Sequence, residues 1–298
     1  MRRRATENNR VGYLMVSPYI IFFLLFVGYP LMFSLVLVFH KWNIIGPMRF
    51  IGLGNFGQLL HDALFWKSLG NTLIFLAIHI PLQIIIALVI ANILNQRIAA
   101  RGFFRAAFFL PVVVSGVVVT ILWQQLYSQE TGLFNTLLSR IGLPKVPWLI
   151  STRLAMPSIA IMATWKNVGL YIVLFLTGLQ TIPASLYEVA DLDGASEVQK
   201  FFHVTIPMLN PTMVMVVILS TLGGFSLFIE PYVMTGGGPM NSTLSCVLYI
   251  YKQAFYFNHM GYAATLGFAV ALIIMIVVII QRKLVETEIY TRKRQYFT

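Results

Sequence analysis

Charged side chains are scarce in this chain: Asp, Glu, Lys and Arg together make up 10% of its 298 residues. Soluble domains carry about 25% charged residues, whereas hydrophobic residues make up 58% of this sequence. The shortage of charge argues against a soluble fold and indicates that the lipid bilayer is the solvent.

Cysteine is nearly absent too. Cys246 stands alone in the sequence, so it has no partner for an intrachain disulfide or a cysteine metal site. The formal net charge of +11 does not indicate a nucleic-acid partner, because the basic residues lie at the ends of apolar runs without interleaved aromatic residues. A Gly-x-x-x-x-Gly-Lys-Ser/Thr phosphate loop is also missing, so we expect no nucleotide site in this chain.

Other missing patterns separate the classes of membrane protein. Paired intramembrane acids and inverted repeats, expected of an ion-coupled secondary transporter, are not found; Glu230, the one acid near an apolar stretch, is placed at its outer end. A nucleophile with a neighbouring base, expected of an intramembrane enzyme, is not found either. A purely structural membrane subunit is harder to exclude and stays open as an alternative.

Long apolar runs are what the sequence does have. A spanning helix needs roughly 20 apolar residues, and runs such as LQIIIALVIANIL do not alternate as barrel strands do. The sequence therefore predicts an all-α integral membrane protein with six transmembrane helices, near 13–39, 70–94, 105–127, 155–180, 205–229 and 261–281. The connections 40–69, 128–154 and 231–260 then share one side, and short interfacial helices are expected in 40–69.

The basic residues predict the orientation. Thirteen of the 21 Lys and Arg residues fall in or at the edge of the segments 1–12, 95–104, 181–204 and 282–298, with Arg97, Arg101 and Arg105 among them. By the positive-inside rule both termini lie in the cytoplasm. The expected organisation is a cytoplasmic N-terminus 1–12, a transmembrane domain 13–281 and a cytoplasmic tail 282–298.

A polar segment at 183–207, PASLYEVADLDGASEVQKFFHVTIP, interrupts the apolar sequence. Ser185 with Glu188 fits a capping box, Ser196 with Gln199 fits a second, and Gly194 between them fits a left-handed helix stop. The pattern predicts a helix, a glycine turn and a second helix that form an amphipathic docking element. The alternative is that Glu188 merely caps and Gly194 merely turns the chain.

Lys166 lies near the centre of the fourth predicted span, where an ionisable group is costly and usually functional. Trp165 and Asn167 flank it and Tyr171 follows one turn later, a set suited to a polyol. The alternative is a helix interface in which Lys166 pairs with a carboxylate such as Glu230 or one on a companion subunit. His79, inside the second span, is interpreted as a hydrogen-bonded packing residue rather than a proton relay.

Several motifs in order resemble a known family. Glu188, Ala190, Asp193, Gly194 and Ala195, followed by Ile206 and Pro207, resemble the cytoplasmic EAA loop of ABC importer permeases. NTLIF at 71–75, RGFFRAAFFLP at 101–111, LYEVADLDGA at 186–195 and YVMTGGGP at 232–239 extend the resemblance over nearly the whole chain, to sugar permeases of the maltose and glycerol-phosphate type. Val189 stands where the family usually has a second alanine.

The resemblance implies a type I ABC importer permease fold in a bacterial or archaeal inner membrane. It implies a second permease subunit, usually a distinct chain, and two copies of a cytoplasmic ATPase that hold ATP and magnesium. An extracytoplasmic solute-binding protein delivers the sugar. The residues implied to couple the chain to the ATPase are Ser185, Glu188, Ala190, Asp193, Gly194, Ala195 and Pro207.

The resemblance also implies a substrate path through the middle of the helices before and after the EAA loop. Mapped onto this sequence, the path comprises Trp165, Lys166, Asn167, Tyr171, Ser220, Gly224, Phe225, Phe228 and Glu230. Gly223 and Gly224 either let substrate approach the backbone or serve helix packing. The sugar is not identified, and a charged polyol stays open because Lys166 is cationic.

Overall fold

The computed structural model describes the chain from residue 2 to 96 and from 99 to 295, and its side chains from 11 to 96 and from 99 to 284. Arg97 lies outside the described residues, and the side chains of 1–10 and of the tail beyond Leu284 are likewise not described. The helices and strands are, in chain order, α1 (Arg2–Phe23), α2 (Tyr29–Val38), β1 (His40–Lys41), β2 (Arg49–Phe50), α3 (Gly54–Leu60), α4 (Ala63–Asn95), α5 (Arg101–Val113), α6 (Gly116–Leu126), α7 (Leu133–Arg140), α8 (Ala155–Gln180), α9 (Ala184–Leu192), α10 (Glu197–Lys200), α11 (Ile206–Met208), α12 (Asn210–Phe225), α13 (Ile229–Thr235), α14 (Cys246–Tyr251) and α15 (Met260–Gln295), with wider π-helical turns at Leu24–Gly28, Phe201–Thr205 and Lys252–Tyr256.

Within the described residues, four helical segments without a sharp bend are long and apolar enough to cross a membrane. They are Val11–Val38, Ala63–Asn95, Ala155–Gln180 and Met260–Leu284. The predicted fourth span, 155–180, coincides with α8, while the second begins well before residue 70 because α4 starts at Ala63. The predicted membrane-helix fold is thus confirmed in type, and the described residues contain four to six spans depending on how two bent pairs are counted.

The third and fifth predicted spans are not single helices, and this corrects the prediction. The third is bent by 96° between α5 and α6, where Val114 has an extended backbone three residues after Pro111. The fifth is bent by 67° at Leu209 and ends at Phe225 rather than 229. Pro211 has no N–H for the carbonyl of Pro207, so the regular helix is interrupted where the bend occurs.

The chain divides into two compact units. One comprises the residues up to Asp62 together with Ile250–Ala269, and the other comprises Ala63–Tyr249 and the chain from Val270. The second unit contains α4 to α13 and both regions predicted to be functional. Its hydrophobic core joins α4, α8 and α12 through Ala87, Leu88, Ala91, Leu94, Val168, Tyr171, Ile172, Phe175, Leu176, Leu179, Ile182, Leu209 and Val216.

The first unit contains a small antiparallel hairpin that the all-α prediction missed. His40 pairs with Phe50 and Lys41 with Arg49. The buried Asn55 amide of α3 donates hydrogen bonds to the carbonyls of Val38 (2.8 Å) and His40 (3.0 Å). These two bonds hold the connection against the end of α2. Short interfacial helices were expected in 40–69, and the structure has one short helix there, α3.

Helices α5 and α8 approach closely at Gly169. A Cβ atom built on Gly169 would lie 2.1 Å from the carbonyl oxygen of Phe108 and 2.9 Å from the Cα of Phe109. Both are backbone atoms, so no side-chain rotation could make room for it. Small residues at such positions let membrane helices pack backbone to backbone, and Gly169 therefore fixes how α5 lies along α8.

We predict that Gly169→Ala destabilises the protein by about 1–3 kcal/mol, because the added methyl overpacks a contact between two backbones. Thermal unfolding of the purified, detergent-solubilised transporter measures the effect. Gly70→Ala is the matched control, since a Cβ at Gly70 of α4 meets nothing within 4 Å. Equal unfolding midpoints for the two variants would contradict this account of the α5–α8 contact.

Candidate functional site

The polar segment 183–207 folds as a helical hairpin formed by α9, the Gly194 turn and α10. We call it the coupling element after the role that the family resemblance implies for it. Gly194 has φ +72°, the left-handed conformation that glycine adopts without strain. The N–H of Ala195 donates to the carbonyl of Ala190 (2.9 Å) and that of Gly194 to the carbonyl of Asp191 (3.0 Å). Together they form a Schellman C-cap, which confirms the predicted helix stop.

The two predicted capping boxes have different outcomes. The second is confirmed, since Ser196 Oγ accepts from the Gln199 N–H (3.4 Å) and Gln199 Oε1 accepts from the Ser196 N–H (2.8 Å). The first, Ser185 with Glu188, is wrong. Pro183 is the N-cap residue of α9 and makes no side-chain cap, so the helix begins before Ser185 and leaves that hydroxyl inside its first turn.

Side chains on both sides of the Gly194 turn tie the coupling element together. Lys200 Nζ contacts Asp191 Oδ1 at 2.6 Å and Glu197 Oε1 at 2.5 Å. The hydroxyls of Tyr187 and Thr205 lie 2.9 Å apart. The Lys200–Asp191 and Tyr187–Thr205 contacts join α9 to the chain after the turn. The two short helices therefore behave as one body.

The coupling element exposes apolar side chains. Leu192 is 88% exposed, Val198 67% and Val189 56%, and the predicted coupling residues Glu188, Asp193 and Gly194 are also exposed. Pro207, half-buried, lies in α11 beside the 67° bend. Apolar groups held away from a core on a polar hairpin are typical of a protein-docking surface.

A second region is a cavity of about 440 Å³ within the second unit. Helices α4, α8 and α12 and the segment leading into α13 line it. The structure brings most of the predicted substrate-path residues together here, namely Lys166, Asn167, Tyr171, Ser220, Gly224, Phe228 and Glu230. We call it the central cavity.

Lys166 and Glu230 form a buried ion pair in the wall of the central cavity. Lys166 Nζ lies 3.1 Å from Glu230 Oε1, and the side chains are 14% and 10% exposed. A Cβ on Gly116 would lie 2.9 Å from Lys166 Nζ, so the glycine that begins α6 leaves room for the ammonium group. This confirms the pairing alternative. Glu230 lies five residues beyond the end of α12, buried in the first turn of α13.

The uncharged polar groups of the cavity are clustered around Tyr171. Its phenol faces the side chains of Gln83 and Ser220, both fully buried. Within the described residues, neither the Gln83 amide nor the Ser220 hydroxyl has a hydrogen-bond partner. Buried polar groups are normally paired. Of the two residues, Ser220 lines the cavity, so its hydroxyl is available to a bound polar molecule or to water.

The two glycines of α12 have different roles. A Cβ on Gly224 would lie 2.3 Å from Leu76 Cδ2, whereas one on Gly223 would meet nothing within 4 Å. Gly224 therefore lets α12 pack against α4, and Gly223 leaves open space in the cavity wall. The packing interpretation is confirmed for Gly224, and substrate approach at Gly223 stays a prediction.

Two predicted path residues lie outside the central cavity. Trp165 is 47% exposed and its ring packs against that of Trp123 with centroids 5.3 Å apart. Phe225 is only 1% exposed and belongs to the core. Lys166 points into the cavity, so its chain neighbour Trp165, about 100° further round the helix, points elsewhere.

Sequence reasoning missed the contribution of α4 to the cavity. Phe75 and His79 line it, their rings stacked with centroids 4.9 Å apart, and His79 Nδ1 lies 2.8 Å from Thr164 Oγ1. His79 is thus a hydrogen-bonded packing residue as predicted, and in addition a wall residue. The signal was its i, i+4 spacing from Phe75, which places both on one helix face.

Two of the sequence motifs meet in space. The Asn71 amide of NTLIF donates to the carbonyls of Asn241 (2.7 Å) and Leu244 (3.0 Å), directly after the GGGP sequence. Gly236 and Gly237 have φ of +62° and +95°, a backbone conformation that glycine adopts without strain. The Asn71 contact therefore anchors the loop after the GGGP sequence to α4.

Two known proteins of similar sequence are described as transport permeases. The probable ABC transporter permease protein YurN of Bacillus subtilis (strain 168) is 36% identical over 286 residues, covering 94% of this chain and 98% of YurN. The arabinooligosaccharides transport system permease protein AraP of the same organism is 34% identical over 275 residues, covering 91% of this chain and 87% of AraP.

A crystal structure of a bacterial ABC transporter that imports the acidic polysaccharide alginate contains a chain with the same fold. The TM-score is 0.80 at 24% identity, with 95% of this chain and 98% of that chain covered. The family described as binding-protein-dependent transport system inner membrane component matches residues 83–287. The chain therefore belongs to that family, as a multi-pass permease subunit of the sugar ABC importer type rather than an enzyme.

Proposed function

We propose that this chain is one of two permease subunits of an importer that moves an oligosaccharide across a bacterial or archaeal inner membrane, with both termini in the cytoplasm. Two copies of a partner ATPase hold ATP and magnesium, and an extracytoplasmic solute-binding protein delivers the substrate. The observation that best supports this proposal is that α8 lines the central cavity and leads, after three residues, into the coupling element.

The coupling element is proposed to dock in a groove on the ATPase through Val189, Leu192 and Val198. Its N-terminal end continues from α8, and its C-terminal end continues through the Phe201–Thr205 turn and α11 into α12. Both α8 and α12 line the central cavity. A displacement of the coupling element therefore reaches two cavity walls at once, and domain rocking of this kind is a common switching mechanism.

The substrate is proposed to be uncharged. The positive charge of Lys166 is neutralised by Glu230, and the other polar side chains of the cavity wall, Asn167, Tyr171, Ser220 and Ser226, are neutral, as is His79 when deprotonated. Hydroxyl, amide and aromatic groups suit the hydroxyls and apolar faces of a sugar. The relative AraP is described as a permease for arabinooligosaccharides, which are neutral, and this favours an uncharged oligosaccharide over the charged polyol that the sequence left open.

Site-directed crosslinking tests the docking of the coupling element. We expect Leu192→Cys to crosslink to the ATPase in the assembled transporter, whereas Leu143→Cys, exposed in the 128–154 connection, should not. Cys246 can be kept, because burial raises the pKa of its thiol and leaves it unreactive. Consistent failure of Leu192→Cys to crosslink, in complexes shown to contain the ATPase, would contradict the proposed docking of the coupling element.

The Lys200 contacts are expected to matter for transmission. We predict that Lys200→Met lowers substrate transport per ATP hydrolysed by roughly twofold to fivefold, because it removes the ion pair with Asp191 that joins α9 to the chain after the turn, a contact of modest strength in water. Uptake and ATPase rates are measured together in proteoliposomes. Lys145→Met is the matched control, since Lys145 pairs with Glu130 in another exposed connection; an equal loss in both variants would show that the hairpin contacts have no special role.

The ion pair in the cavity predicts a rescue experiment. We expect Lys166→Met and Glu230→Gln each to destabilise the transporter by about 3–5 kcal/mol, because each leaves the other charge buried without its partner. The double variant should recover most of this loss and restore uptake of a neutral oligosaccharide. Thermal unfolding and uptake are the measurements, and additive losses in the double variant would mean that the two residues act independently.

A further inference from the structure

Two arginines at the beginning of α5 share one neutral partner. With its amide oxygen turned toward α5, Gln180 at the end of α8 accepts hydrogen bonds from Nη2 of Arg101 (2.9 Å) and Nη2 of Arg105 (3.2 Å). Arg101 and Arg105 are one helical turn apart on the face that packs against α8. Two guanidinium groups, always charged, are therefore held around a single amide oxygen.

The positive charge of this pair is not compensated by the described part of the chain. Neither arginine takes part in an ion pair there, and the Nε atoms of both are buried without a hydrogen-bond partner. The N-terminus of α5, where the pair lies, adds partial positive charge. Like charges held this closely repel each other unless an anion lies between or beside them.

The surroundings of the pair are those of a membrane interface. Phe103 and Phe104, in the same turn of α5, are 70% and 43% exposed, and α5 begins a bent pair that is apolar enough to span a membrane. A Cβ on Gly102 would meet nothing within 4 Å, so the backbone between Arg101 and Phe103 is open to a ligand. Cations next to exposed apolar rings match a molecule with an anionic head and hydrocarbon chains.

We propose that Arg101 and Arg105 form a binding site for the headgroup of an anionic phospholipid. The phosphodiester accepts hydrogen bonds from the two guanidinium groups, whose planar fork suits phosphate oxygens, while the acyl chains lie along Phe103 and Phe104. Basic pockets between transmembrane helices bind lipid headgroups in this way. Because Gln180 ends the helix that leads into the coupling element, the lipid would stabilise the junction between α5, α8 and that element.

Native mass spectrometry of the assembled transporter tests the site. Phosphatidylglycerol or phosphatidylcholine is added to delipidated complex, and the lipid retained by the permease is quantified. We expect wild type to retain phosphatidylglycerol in preference to phosphatidylcholine, and Arg101→Gln/Arg105→Gln to bind it roughly thirtyfold more weakly, as the loss of two interfacial arginines implies. Arg140→Gln/Arg153→Gln, exposed arginines in the 128–154 connection, should bind like wild type.

Three outcomes would overturn the proposal. One is equal retention of the two lipids by wild type, which decides the matter even if the double variant fails to assemble. A second is displacement of phosphatidylglycerol by millimolar inorganic phosphate, which would show a free-anion site. A third is a structure of the assembled transporter in which a partner subunit's carboxylates occupy both arginines. Retention of phosphatidylglycerol by Arg101→Lys/Arg105→Lys at an intermediate level would support the proposal, because lysine keeps the charge and loses the fork.

Discussion

A charge in the hydrocarbon interior must be compensated within the protein, and here that constraint is met by the Lys166–Glu230 pair. Glu230 can reach Lys166 only because α12 ends at Phe225 and the chain restarts as α13. The ammonium group has space only because α6 begins with Gly116. The two interruptions that a plain transmembrane helix would lack therefore meet at the ion pair, and the cavity opens beside it.

Helix α8 links the cavity to the coupling element. Helix α8 carries Lys166 and Tyr171 in its middle and Gln180 at its end, and it is held on one side by the α4 core and on another by the Gly169 contact with α5. A helix packed this tightly moves as a rigid body rather than bending. On the proposed function, force applied at the coupling element is transmitted along α8 to the polar wall of the cavity.

The sequence predicted correctly those features that depend on the conformational preferences of a few neighbouring residues. The Gly194 stop and the Ser196–Gln199 box follow from the preferences of single residues, and α8 follows from an unbroken apolar run bounded by polar residues. The breaks at Val114 and Leu209 were not predicted, because hydropathy is unchanged across a bend and proline within a span is tolerated in many membrane helices. Trp165 was misplaced because residues adjacent in sequence were treated as neighbours on one helix face. The i, i+4 spacing of Phe75 and His79 puts both on one face of α4, but which face of α4 borders the cavity depends on tertiary packing.

The central claim is that ATP-driven movement of the coupling element is transmitted to the cavity walls through α8 and α12. Spin labels at Leu170 of α8 and Leu219 of α12, both in the cavity wall, report the width of the cavity in the assembled transporter. Pulsed electron paramagnetic resonance should give different distance distributions for the nucleotide-free and ATP-trapped states. Identical distributions, in a transporter that hydrolyses ATP and imports its substrate, would contradict the account.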